Sequence, residues 1–374
     1  MIVAQNSHSS DKRKIMKILN KFKEINMKKL IAAAVAAAVI APMTAIASGP
    51  TLYGLIHMSV GYYDDDTKGG YSSVNVASNS SRIGVKGSED LGNGLKVGYQ
   101  MEWSVGMDGA NQDLGQRNRG ITVSGGFGTV LLGRWDTPMK SLGYKANIFG
   151  QRAGDMLAVT RAGTSAIDNR QNNVIAYISP NMSGFQAKLA YVVDVATGTA
   201  DDTDNDAFSG TAVYSNGPLL VGAGYTQVMA DSVGPVTGDR DEKDYRLVAS
   251  YKMGAIKVAG SFTDINNGNR VKDQDYSVWL LSAGYTFGNN TIKAQYVDKS
   301  EGLSNSDDGA QNWAIALDHK MSKRTLAYVE YGQLNNDKGS ALNSYQRTGS
   351  GVNMSSPGAG KDPSGLSVGI VHKF

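Results

Sequence analysis

Cysteine and histidine, the side chains that most often bind metals or do acid–base and nucleophilic chemistry, are scarce in this chain. Cysteine is absent, which excludes a disulfide framework and a thiolate metal site. Of the four histidines, only His57, His319 and His372 lie beyond the amino-terminal region. A serine nucleophile needs a base within hydrogen-bond reach. No metal-ligand cluster accompanies any of the three. These residues predict no enzyme, no cofactor and no metal. What remains are fixed charges, and their use depends on the elements that carry them.

The whole chain has a formal charge of +3, but the surplus is local. Residues 1–47 hold eight Lys/Arg against two Asp/Glu, which leaves the remainder at about −3. The positive charge is therefore no nucleic-acid footprint, and no nucleic-acid partner is expected. Met27-Lys28-Lys29 forms a basic n-region, residues 30–43 form an apolar h-region, and Ala45-Ile46-Ala47 is an A-x-A cleavage site. That order predicts a leader and signal peptide over 1–47, cleaved after Ala47. Residues 1–26 carry a further basic run, Lys12-Arg13-Lys14, as an extended n-region or a start codon placed too early would.

From residue 48 to 374 apolar residues recur with period two, and no helical period is sustained. Leu95, Val97, Tyr99, Met101 and Trp103 alternate with Lys96, Gly98, Gln100 and Glu102; Ile292, Ala294 and Tyr296 alternate with Lys293 and Gln295. Seven short Gly/Asn-rich turns, such as Asn93-Gly94 and Gly288-Asn289-Asn290, alternate with eight long polar loops. The pattern predicts an all-β, transmembrane antiparallel β-barrel of about 16 strands, with short periplasmic turns and long extracellular loops. The final strand carries Leu366, Val368, Ile370, His372 and Phe374 on one face. It is expected to pair with the strand over Thr51–Tyr63 and so leave no edge. His57 and His372 would then sit on neighbouring strands but face opposite sides.

Several strings resemble the general diffusion porins of the Gram-negative outer membrane, of the proteobacterial type. They are Leu52-Tyr53-Gly54, Ser81-Arg82-Ile83-Gly84-Val85-Lys86-Gly87-Ser88-Glu89-Asp90-Leu91-Gly92, Gly126-Phe127-Gly128-Thr129-Val130-Leu131-Leu132-Gly133-Arg134, Ser179-Pro180-Asn181-Met182-Ser183-Gly184-Phe185 and Gly369-Ile370-Val371-His372-Lys373-Phe374. They span the mature chain in the order the family has them. The resemblance implies a homotrimeric, passive, water-filled pore for small hydrophilic solutes and ions. It also implies a third loop folded into the barrel, and contacts with outer-membrane lipid and lipopolysaccharide. Phe374 would be the signal read by the outer-membrane barrel assembly machinery.

Such a pore works through the charges lining its narrowest part. By position in the family and by parity, Arg82 and Lys86 face inward, opposite Ile83 and Val85. The resemblance places Arg117 and Arg119 on the next downward strand, although both share parity with Ile121 and Val123, so a bulge must turn one of them. Arg134 at the start of the third loop and Arg170 at its end complete the arginine set. From Asp136 to Asn172 that loop carries Lys140, Lys145, Arg152, Arg161 and Arg170 against Asp136, Asp155 and Asp168. Asp136 and Asp155 are its expected acidic pore-lining groups, and the balance predicts a mild anion preference. Leu55 and His57 stand where relatives carry a charged pair. The rival expectation, a substrate-specific channel for sugar, phosphate or amino acid, would need more lumenal aromatics than Tyr144 and Phe149 supply. The acidic run Asp201–Asp206 is expected to be a solvated surface loop, with a divalent-cation site the alternative.

Deleting Phe374 is expected to impair insertion far more than the conductance of any pores that form. Normal yield of inserted protein in outer-membrane fractions of that mutant would count against the assembly role.

Overall fold

The computed structural model describes residues 46–109, 114–160, 168–193, 206–229, 241–302, 307–343 and 357–374. The expected h-region, Arg161 and most of the Asp201–Asp206 run lie outside the described residues. The strands are β1 (Ile46–Asp64), β2 (Ser72–Ser78), β3 (Arg82–Gly92), β4 (Leu95–Ser104), β5 (Gly115–Gly125), β6 (Gly128–Asp136), β7 (Arg170–Ile178), β8 (Phe185–Val192) and β9 (Ala207–Asn216). The second half adds β10 (Leu219–Val228), β11 (Glu242–Met253), β12 (Ile256–Asn266), β13 (Tyr276–Phe287), β14 (Asn290–Lys299), β15 (Ala310–Lys320), β16 (Thr325–Asn336) and β17 (Ser364–Lys373). Apart from β2 and β3, neighbours along the chain pair antiparallel, and β17 pairs with β1 from Lys373↔Leu55 to Ser364↔Asp64. Phe374 and Gly54 exchange two backbone hydrogen bonds just beyond that ladder. The sheet is closed.

Both β2 and β3 pair with β1, at its two ends, with residues 79–81 between them. Together they fill one place, so the barrel has sixteen strands. This corrects the first long loop, expected over Asp64–Ala77: half of it is β2. The expected cleavage point also falls inside a strand, because Ile46 and Ala47 pair with Asp90 and Glu89.

Alternation decides the two faces. On β17, Leu366, Val368 and Ile370 are exposed on the outer face while Ser367 is buried. On β11, Tyr245, Leu247 and Tyr251 are exposed, and Glu242, Asp244, Arg246 and Val248 are buried. The outer surface is thus an apolar band, with aromatics near both strand ends. Tyr285 stacks on Phe287 beside one short turn, while Phe262–Trp279 and Trp313–Tyr331 meet toward the long loops. Such girdles suit a membrane interface. Asn93 and Gly94 both take positive φ (52° and 76°) between β3 and β4, the backbone of a type I′ hairpin that suits the twist of the strands.

The segment between β6 and β7 crosses to the opposite wall. It carries two short helices, α1 (Pro138–Gly143) and α2 (Leu157–Thr160). Thr137 caps α1 by accepting from the Lys140 amide. Met139 and Leu142 of α1 pack into space left by the glycines of β10, Gly222 and Gly224. Further on, the Gln295 amide holds Asn147 and the Gly154 carbonyl, and Ser282 donates to the Ala146 carbonyl. Phe149 lies in a buried cluster with Ala314 and Ala316. The strongest tie is Arg246, fully buried on β11. Its guanidinium grips Asp168 through two bonds of 2.7 and 2.8 Å, and also donates to Thr263 and to the Met139 carbonyl.

Removing one partner of a buried ion pair leaves the other charge uncompensated, at a cost of about 3–5 kcal/mol. Asp168→Ala should therefore release the segment. We expect a lower denaturation midpoint of the detergent-solubilised protein and noisier single-channel currents. Unchanged values of both would show that Arg246 does not anchor the segment.

Candidate functional site

The inner faces of β3, β4 and β5 bring together the side chains that sequence reasoning scattered. Arg82, at the start of β3, is opposite Ser104 in register, and Glu102 is opposite Gly84, which has no side chain to intervene. Glu102 lies 3.7 Å from Arg82 and 2.5 Å from Arg117, and accepts a 3.1 Å hydrogen bond from the Tyr53 hydroxyl. Arg82 also reaches Gln151 at the tip of the crossing segment, 3.4 Å away. Arg170 forms the second half of the group. It donates to Asn118 at 2.5 Å and sits 3.1 Å from Asp136, whose carboxylate also holds Lys140 at 2.8 Å and Asn118 at 3.1 Å. A cavity of about 430 Å³, lined by Arg117, Arg170 and the hydroxyls of Ser78, Ser80, Ser81 and Ser104, opens beside them.

A bulge makes this arrangement possible. The β4–β5 register shifts between Met101 and Trp103, so Arg117 and Asn118 both turn toward Glu102 and Asp136. From Arg119 onward the parity is that of the outer face. Arg119 lies against the Trp103 ring at 5.1 Å and stands directly opposite Arg134, in the row that continues as Ile121↔Leu132. Two expected pore-lining residues, Arg119 and Arg134, are therefore corrected: they belong to the outward row, where Arg134 donates to Asn172 at 2.6 Å. A second irregularity, at Gly133 (φ 147°), accompanies the turn of β6 at this point. A Cβ there would collide with the Arg119 carbonyl.

Asp155 is also corrected. Its carboxylate is fully buried within the crossing segment, where it accepts from Asn147 and from the Gln151 and Leu157 amides. It organises the segment rather than facing water. Lys86 faces inward, 5.0 Å from the centre of the Tyr53 ring. Leu55 and His57 also face inward, and His57 Nε2 shares a 2.9 Å hydrogen bond with the Tyr328 hydroxyl. His372 instead meets Thr325 at the exposed end of β17. Among the described residues no two histidines meet.

The net-basic balance expected for the segment does not survive as counted. Arg152 is taken up by Asp318 at 2.6 Å, Lys140 by Asp136, and Asp168 by Arg246. Around this group the cations in excess are Arg82, Arg117 and Arg170 on the wall and Lys140 on α1, which share Glu102 and Asp136, while Lys145 of the segment lies beside Lys188. Glu102 and Asn118 were missing from the expected set. Glu102 had the right parity in its strand, but nothing local marked it as the carboxylate shared by two arginines. Among the described residues no His/Cys/Asp/Glu cluster could hold a metal.

The Gram-negative porin family model matches residues 32–339. The chain belongs to the Gram-negative porin family. Outer membrane porin protein 32 of Delftia acidovorans is 33% identical over 363 residues, covering 93% of this chain and 99% of that one. Major outer membrane protein P.IB of Neisseria lactamica is 30% identical, again over 93% of this chain and 99% of its own. Among solved structures, the anion-selective porin from Comamonas acidovorans superposes with a TM-score of 0.73 at 29% identity, over 88% of this chain and all of that one. The protein is a porin of the outer membrane, a passive diffusion channel and not an enzyme.

In this porin Glu102 is the counter-charge to Arg82 and Arg117. A unit charge about 7 Å from an ion's path is worth roughly 0.6 kcal/mol in water, close to RT. Salt at 0.1 M roughly halves this over about 7 Å, and it acts oppositely on anions and cations, so Glu102→Gln should raise the anion-to-cation permeability ratio about two- to threefold, read from zero-current potentials in a KCl gradient. An unchanged or lowered ratio would remove Glu102 from the ion path.

Proposed function

We propose that this porin is a water-filled, anion-preferring pore whose constriction is formed by Arg82, Arg117 and Arg170 on the wall and by the crossing segment around Gln151 and Lys140. The observation that carries this is the imbalance in one cluster: three wall arginines and Lys140 share two carboxylates, Glu102 and Asp136. Fixed cations beside a narrow aqueous path favour anions. The likeness to a porin described as anion-selective supports the same preference. The segment narrows the passage because it packs on the inward faces of β10, β11 and β13–β16, held by Arg246, Gln295 and Ser282.

The functional unit is proposed to be a homotrimer, in keeping with the trimer form described for OmpT of Vibrio cholerae, a protein of the same fold. Residues 1–47 are proposed to be a leader removed on export. Lipopolysaccharide, the assembly machinery acting on Phe374, and small hydrophilic solutes are its proposed partners.

Zero-current potentials of reconstituted channels in a KCl gradient test the selectivity. We expect wild-type protein to favour chloride. Arg82→Gln/Arg117→Gln should lose at least about half of that preference, because two cationic charges leave the path. A clear potassium preference in the wild type would overturn the anion-preferring constriction.

A further inference from the structure

Charge is segregated along the barrel axis, independently of the constriction. On the short-turn half of the wall, Lys86, Lys96, Lys188, Lys252, Lys320 and Lys373 all have inward parity, and none of them forms an ion pair. Lys252 stands directly opposite a further inward lysine, Lys257. Three separate cavities open on this half. One, of about 370 Å³, is lined by Arg152, Lys320, Lys323, Arg324 and Lys373. A second, of about 460 Å³, has Lys86 and Lys96. A third, of about 110 Å³, has Lys145 and Lys188. No carboxylate lines any of the three. Among the described residues, the carboxylates of this half are Glu89 on the outward row, Asp90 in its turn, Asp318, which is held by Arg152 and Lys293, the buried Glu330 near mid-wall beside Arg152, and the chain terminus. At the long-loop end the sign reverses. On the described loops carboxylates outnumber Lys and Arg, most densely at Asp64–Asp66, Asp273–Asp275 and Asp307–Asp308.

We propose that this porin is a bipolar pore that rectifies ionic current, with an acidic outer mouth and a basic periplasmic vestibule built from Lys86, Lys96, Lys252, Lys320, Arg324 and Lys373. The proposal rests on the channel reading and extends it to direction. A charged mouth with low-dielectric walls concentrates its counter-ion and excludes its co-ion. With the long-loop side positive, cations enter through the acidic mouth and anions through the basic one. Each ion then crosses the zone that concentrates it, and both accumulate in the middle. With the polarity reversed, each ion meets the zone that excludes it, and the middle is depleted. Current is larger in the first polarity. The asymmetry needs a screening length comparable to the passage, so it belongs to 0.1 M salt, where that length is about 10 Å, and fades at 1 M, where it is about 3 Å.

The test is a set of oriented single-channel current–voltage curves in symmetric KCl. Orientation comes from Asp273→Cys, an exposed position in a chain without cysteine. It is labelled from one chamber with a biotinylated thiol reagent and streptavidin, and read as a step in current. We expect currents at 0.1 M to differ between +100 and −100 mV by at least about 1.3-fold, larger with the long-loop side positive, and to converge at 1 M. Lys320→Gln/Lys323→Gln/Arg324→Gln/Lys373→Gln should bring the 0.1 M ratio toward one. Should that variant fail to assemble, Lys252→Gln/Lys257→Gln should lower the ratio in the same direction. Symmetric currents at 0.1 M, the opposite polarity, or a ratio untouched by the vestibule variants would each overturn the bipolar pore. Failure to form channels at all would instead strike the channel reading itself.

Discussion

A polypeptide that crosses hydrocarbon must satisfy every backbone N–H and C=O within itself, because no water is there to do so. In this protein that requirement is met by one closed sheet. The pairing of β17 with β1 is the join without which both would be open edges. Closure fixes the rest. It gives each strand an inside and an outside, so the same alternation that exposes Leu366, Val368 and Ile370 to the membrane turns Ser367 and Gly369 inward. It encloses a space too wide for wall side chains alone to fill. That space admits the crossing segment, which leans on β10 to β16 while the wall of β3 to β5 remains wet and charged.

Charges inside the barrel divide into two kinds. Arg246–Asp168 and Arg152–Asp318 are buried and closely paired, and they hold the crossing segment against the wall. Burying such pairs costs desolvation that only good geometry offsets, and the two-bond grip of Arg246 on Asp168 has that geometry. Arg82, Arg117 and Arg170 are partly exposed and outnumber their carboxylates, so their field reaches the water that ions cross. The first kind sets the shape of the passage and the second its electrostatics. The inward lysines on the short-turn half of the wall extend the same surplus along the barrel.

The likeness to other porins covers nearly the whole chain, yet single wall positions differ in ways that matter locally. Leu55 and His57 place a neutral patch on the inner face of β1, closed by the His57–Tyr328 hydrogen bond and the Arg152 guanidinium over the Tyr328 ring. Arg152 on that patch is committed to holding the segment, through Asp318. The arginine cluster around Glu102 begins on the next strand, where Arg82 stands directly opposite Leu55.

Much of this was legible in the residues. Period-two alternation, Gly/Asn turns and the parity of turn and loop lengths are local properties, and they sufficed for a sixteen-strand barrel with Arg82 and Lys86 inward. The ordered strings pointed to the family. What local pattern could not carry were the irregularities of pairing. The β4–β5 bulge sends Arg117 inward and Arg119 outward, and the break at residues 79–81 turns half an expected loop into β2. Nor could it show which charges cancel. Asp155 is spent inside its own segment, Arg152 meets Asp318 across the barrel, and Glu102 is shared by Arg82 and Arg117. Alternation depends only on a residue's neighbours in the chain, so the sequence determined the faces. Bulges and ion pairs depend on which strands and segments meet in space, and only the closed barrel decided those.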